Sequence, residues 1–102
     1  MDKKLIGEET ATQIAKWKDE FGKVFNYKVD GRIAYFKPVH RTLYAAAATK
    51  VSTSPAKFTE TIIEGIWLGG DDSIKLQDQY YFGLIDFVEE LMNKKKGELG
   101  ES

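Results

Sequence analysis

His40 is the single histidine of this chain of 102 residues and the first candidate for chemistry. A histidine base needs a carboxylate to orient it and a nucleophile to serve. Its neighbours Pro38, Val39, Arg41 and Thr42 supply neither, so it reads as a surface residue leading into a helix. Asp71, Asp72 and Asp78 are the acids closest to a hard-cation site. They lack the alternating oxygen ligands and distal glutamate of a calcium loop, and turn or helix-capping roles account for them. Asp86, Glu89 and Glu90 read as a solvated acidic face, with mild repulsion between Asp86 and Glu90 four residues apart. Gly69-Gly70 is followed by no lysine and Ser/Thr at phosphate-loop spacing, and no three-glycine dinucleotide fingerprint is present. Without cysteine there is no disulfide, zinc-thiolate site or thiol nucleophile. The residues therefore predict a non-enzymatic protein with no metal and no cofactor.

Binding is the remaining chemistry, and it centres on residues 24–37. Two short runs, 24–29 and 32–37, are joined by Asp30-Gly31. That dipeptide is a strong signal for a two-residue hairpin turn, which needs φ > 0 at both positions. Pairing across it sets Val29 opposite Arg32, Tyr27 opposite Ala34 and Phe25 opposite Phe36. This face is the richer in aromatic and aliphatic surface, so it is expected to be the core face. The opposite face pairs Lys28 with Ile33, Asn26 with Tyr35 and Val24 with Lys37. Basic side chains interleaved with an aromatic suit single-stranded nucleic acid, through stacking and phosphate neutralisation. The same face, with two open hairpin edges, suits a protein that adds a strand or docks apolar side chains. A third arrangement has another helix of the chain covering it. Val24, Lys28, Ile33, Tyr35 and Lys37 are the expected partner-binding set. The pI near 5.8 and the lack of an RNA-binding signature place nucleic acid second to protein.

The flanking elements follow from periodicity. Thr10 or Thr12 caps a helix to about Phe21, with Ile14, Trp17 and Phe21 on one face and Gly22 as its stop. Pro38 ends the second strand. Residues 41–51 form a helix around four consecutive alanines, the best helix formers. Ser54-Pro55 is a cap with proline at the first helical position, and that helix runs to about Trp67. Its rows are Phe58, Ile62 and Ile66 beside Ile63 and Trp67. Gly69 and Gly70 are expected to close it, as Asp30 and Gly31 shape the hairpin turn. Ile74 and Leu76 are expected in a short extended piece. A last helix spans about 78–95, with Tyr81, Leu84, Ile85, Val88 and Met92 on its apolar side.

The expected fold class is α+β: a two-stranded antiparallel hairpin on about four helices, in the order α-β-β-α-α-α. Trp17, Phe25, Phe36, Phe58, Ile62, Trp67, Leu84 and Val88 are the expected core. Residues 1–9 read as a flexible lead, 10–96 as a single domain and 97–102 as a flexible tail. No apolar run approaches the roughly 18 residues of a membrane span. The N-terminus lacks a secretory signal, so a cytoplasmic location is expected. Residues 1–50 carry ten Lys/Arg against six Asp/Glu, and residues 51–102 carry five against ten. A molecule so divided suits an acidic partner, or another copy of itself.

Taken together, Trp17-Lys18, Phe21-Gly22-Lys23-Val24, the hairpin, Lys37-Pro38, Arg41-Thr42-Leu43, the alanine run, Phe58 and Trp67-Leu68-Gly69-Gly70-Asp71 resemble a known family. It comprises small proteins of phage and prophage tail gene clusters, of the tail-assembly-chaperone-like kind, and the resemblance covers about residues 17–92. It implies a non-catalytic role: transient binding of a tail protein, such as the tape measure, to keep it soluble during assembly. It carries over no active-site residue. Exposed apolar surface for this role is expected at Val24, Ile33 and Tyr35, and at Tyr80 and Phe87 on the last helix. The alternatives are a single-stranded nucleic-acid binder and a homo-oligomeric structural subunit of a particle.

Overall fold

The computed structural model describes residues 5–50 and 54–94. Its elements are α1 (Ala11–Phe21), β1 (Phe25–Val29), β2 (Arg32–Phe36), α2 (Arg41–Ala48), α3 (Pro55–Ile66), β3 (Trp67–Gly70), α4 (Ser73–Leu76) and α5 (Asp78–Lys94). The class is α+β. Among the described residues it comprises five helices and one antiparallel sheet in the order β1-β2-β3, where a two-stranded hairpin and four helices were expected. Residues 1–4, the end expected for the alanine-rich helix at about 51 with the break after it, and residues 95–102 with the expected tail lie outside the described residues.

The hairpin forms where local chemistry demands it. Asp30 has φ 52° and Gly31 φ 75°, positive at both central positions of the turn. The resulting register pairs Phe25 with Phe36, Tyr27 with Ala34 and Val29 with Arg32. Capping fixes α1 in the same local way: the Thr10 hydroxyl accepts from the Gln13 N–H at 3.1 Å. At its other end Gly22, with φ 87°, donates its N–H to the Lys18 carbonyl. Ser54 occupies the cap position of α3, but its side chain makes no capping hydrogen bond.

The main departure is β3. Trp67 leaves the helix with φ −65° and ψ 122°, and Trp67, Gly69 and Gly70 pair with β2. Phe36 lies opposite Trp67, Tyr35 opposite Gly69 and Ala34 opposite Gly70, with an irregularity between Tyr35 and Phe36. Gly70 sits at φ 129°, and a Cβ there would lie 2.5 Å from the Ala34 Cα. The glycine therefore permits close strand contact instead of closing the helix. The stretch around Ile74, expected to be extended, is the one-turn helix α4.

The main core lies on one face of the sheet. Ala34, Phe36, Ala47, Ile62, Ile63, Ile66, Ile74, Leu84, Val88 and Leu91 form its buried cluster. Phe25, Phe58 and Trp67 pack against it half-buried. Phe36 meets Trp67 edge-on at 5.4 Å and Phe87 at 5.6 Å, the offset arrangements aromatic pairs prefer. Trp17, an expected member, is not in this cluster: no residue of α1 is buried, and Trp17 lies against Tyr35 on the opposite sheet face.

The lead expected to be free is paired from residue 6. Ile6 N–H donates to the Gly31 carbonyl at 2.9 Å and Ile33 N–H to the Ile6 carbonyl at 3.0 Å, a parallel bridge beside β2. Gly7, at φ 90°, makes this possible. A Cβ there would lie 2.3 Å from the Asp71 nitrogen and 2.9 Å from the Ile33 carbonyl oxygen.

Candidate partner-binding surface

The outer hairpin face expected to bind a partner is covered within the chain. Tyr35 is 3% exposed and Ile33 4%. The Trp17 ring lies 5.6 Å from that of Tyr35, and the Glu9 N–H donates to the Tyr35 hydroxyl at 3.1 Å. The Lys37 ammonium sits 4.9 Å over the Phe21 ring, a cation–π contact. Val24 and Lys37 are half-buried, and Lys28 alone of the five is exposed. The missed signal was the apolar face of α1: Trp17 meets Tyr35 and Phe21 lies under Lys37, so the expected surface is mostly an interior one.

The sheet has two edge strands, β1 and β3. β2 is central, leaving β1 as the hairpin's outer edge, where Asn26 and Lys28 are exposed. A lysine on an edge strand discourages strand addition. Tyr80 and Phe87 are also occupied. Tyr80 is 7% exposed and donates its hydroxyl to the Asp30 carboxylate at 2.6 Å. Phe87 lies 5.1 Å from the Tyr27 ring.

A polar cluster joins the hairpin to the start of the last helices. Arg32 Nη1 donates to Asp71 Oδ2 at 2.9 Å, and the guanidinium carbon lies 5.4 Å from the centre of the Tyr80 ring. Asp71 also accepts from the Ser73 hydroxyl and, more weakly, from its N–H. The Ser73 hydroxyl above all, with help from the Ser73 N–H and Arg32, holds the Asp71 carboxyl below the usual aspartate range. These partners tie elements together and present no group to a substrate.

His40 is exposed and supplies no side-chain hydrogen bond to the start of α2. It shares an open groove with Lys37, Arg41, Thr42, Leu43, Ala46 and Gly65, a lining that contains no carboxylate to orient the imidazole. Among the described residues no group of three or more His, Asp and Glu could hold a metal ion. No helix there is long and apolar enough to cross a membrane.

Helix α2 is exposed over most of its length. Of its eight residues only Ala47 is buried. Leu43 packs so closely on α3 that a Cβ on Gly65 would lie 2.6 Å from its Cδ1. Tyr44, 49% exposed, meets Phe58 edge-on at 5.3 Å. Ala45, Ala46 and Ala48 are exposed. From residue 31 to residue 59 the sequence contains no Asp or Glu, and Lys37 and Arg41 are the charged residues lining the groove beside this helix.

A second groove, between α3 and the α4–α5 corner, has the opposite character. Glu60, Glu64 and Asp78 rim it together with Lys75, and Ile63, Leu76 and Tyr81 line it. Burial, reinforced by Glu60 and Glu64, pushes the Tyr81 hydroxyl above its usual range. Leu76 stands 76% exposed at its edge.

Neither the protein-family models, nor the characterised proteins, nor the solved structures compared with this chain contain a match to it.

Proposed function

We propose that this chain is a non-enzymatic protein-binding module that works in the cytoplasm, with α2 as its docking face. The observation that carries the reading is that α2 buries one of its eight residues and leaves alanines and Tyr44 in the open. An exposed apolar patch rimmed by polar groups is the mark of a partner site. Small side chains allow another backbone to approach closely, and the basic surroundings favour an acidic partner. The partner chemistry that fits is an acidic amphipathic helix, laid with its apolar face on Ala45, Ala48 and Tyr44.

The tail-assembly setting comes from the family resemblance alone. In that setting the partner is a phage tail protein such as the tape measure, held soluble until it is assembled. Single-stranded nucleic acid has less support, since its stacking residue Tyr35 is covered and Lys28 alone of the basic-aromatic set is open.

The test is capture of the tagged protein from its native host, with Ala45→Glu as the probe. Ala45 is exposed, so the charge leaves the fold intact while spoiling the docking face. Recovery of a tail protein by the parent and its loss with Ala45→Glu is the expected result. Equal recovery with both would remove α2 from the account, and recovery of nucleic acid in place of protein would overturn the reading. Tyr35→Glu is unsuitable as a binding probe, because a charge at a 3% exposed position destabilises the fold itself.

A further inference from the structure

We propose that copies of this chain associate head to tail, the acidic groove of one copy seated on the basic α2 groove of the next. The two grooves lie on different sides of α3: Gly65 lines the basic one, and Glu60, Ile63 and Glu64 line the acidic one. Each has an apolar lining and charges of one predominant sign at its rim. The basic groove is floored by Leu43, Ala46 and Gly65. The acidic groove carries Leu76, the most exposed large apolar side chain among the described residues, as a projecting knob.

Charge complementarity selects a second copy as the occupant. Arg41 on the basic rim makes no ion pair among the described residues, and neither do Glu64 and Asp78 on the acidic rim. Each rim therefore holds exposed charges without a partner and of the sign the other lacks. The whole chain is divided in the same sense, with an excess of bases in residues 1–50 and of acids in 51–102. Leu76 of one copy enters the floor formed by Leu43 and Ala46 of the next, while Glu64 and Asp78 face Arg41 and Lys37. Because the two surfaces differ, the contact is heterologous. Repetition gives a ring if the rotation closes and an open chain of copies if it does not.

This inference rests on the reading of α2 as a recognition element, and it uses the Leu43–Ala46 side of that helix beside the Tyr44, Ala45 and Ala48 side offered to a partner. Such a small, charge-steered contact is weak and sensitive to salt. Sedimentation equilibrium of the full chain is the test. At low ionic strength and several hundred micromolar protein, the average mass should rise to at least twice the 11.6 kDa of one chain. It should return to 11.6 kDa in roughly 0.5 M salt, where exposed charges more than about 4 Å apart are largely screened. Arg41→Glu and Glu64→Lys should each abolish the rise while circular dichroism stays that of the parent. An equimolar mixture of the two, or the double variant, should restore it, because the reversed charges again complement each other. Leu76→Ser should weaken it without a change of charge.

A mass of 11.6 kDa at every concentration in low salt would overturn the proposal. So would assembly of both single variants at parental strength, or failure of the mixture to recover it. If the parent stays monomeric yet captures a partner that Ala45→Glu loses, the self-association fails and the docking reading stands. If the parent assembles with this charge dependence but captures nothing, the docking of a foreign partner fails and self-association stands.

Discussion

Individual residues divide by which side of the sheet they serve. Phe36 is fully buried between Trp67 and Phe87, so Phe36→Ala should cost about 3–5 kcal/mol, read from denaturant unfolding. Trp67→Ala should cost clearly less. Its ring is half-buried and its outer side is covered by the Lys75 ammonium at 4.3 Å, so less apolar area is lost. Asp71 gives a pH signature. Its carboxyl is held below the ordinary aspartate value, so its contribution is fully present above about pH 4 and is lost as pH falls through the lower folded value. Asp71→Asn should therefore be less stable than the parent at pH 7. The gap should close as both are acidified to about pH 2, followed by thermal melts across the range. Equal stability at neutral pH would show that the Ser73 and Arg32 contacts contribute nothing.

Elements set by neighbouring residues were legible in the sequence, while those set by distant ones were not. Asp30-Gly31 dictates the turn, and the turn dictates the β1–β2 register, so every pair across the hairpin could be named beforehand. The ends of α1 were legible too, through Thr10 and Gly22. β3 was hidden because Trp67-Leu68-Gly69-Gly70 has no polar alternation, and glycines after an apolar helix read as a stop. Only the need to pass close to Ala34, a contact 36 residues away, explains Gly70. The bridge of Ile6 to Arg32 and the ion pair of Arg32 with Asp71 likewise leave no local trace. The bridge turned an expected loose lead into a strand-like strap, while Trp17 and Glu9 on Tyr35 turned an expected binding face into an interior. Gly7 is the test of that strap. Gly7→Ala meets both a positive φ and the Asp71 backbone, and should destabilise the fold by about 1–3 kcal/mol. Hydrogen exchange should quicken at Ile6 and Ile33, whose amides make the bridge, while α5 keeps its protection. An unchanged melting temperature would mean the strap adds no stability.

At the scale of the whole molecule, both faces of the sheet are spent on folding. One lies on α3 and α5, the other beneath α1 and the N-terminal strap. What remains for recognition includes the thinly buried α2, the acidic groove on another side of α3, and Phe82, 66% exposed on α5. The residue types signalled this only in outline: the alanine run and the division of charge were visible, but which alanines face solvent depends on how α2 meets α3. The most direct test of α2 as the docking face is hydrogen exchange of the captured complex against the free chain. The account predicts that the gain in protection falls on Arg41–Ala48. Protection confined to the β1 edge at Phe25–Val29, or to α5, with none on Arg41–Ala48, would contradict it.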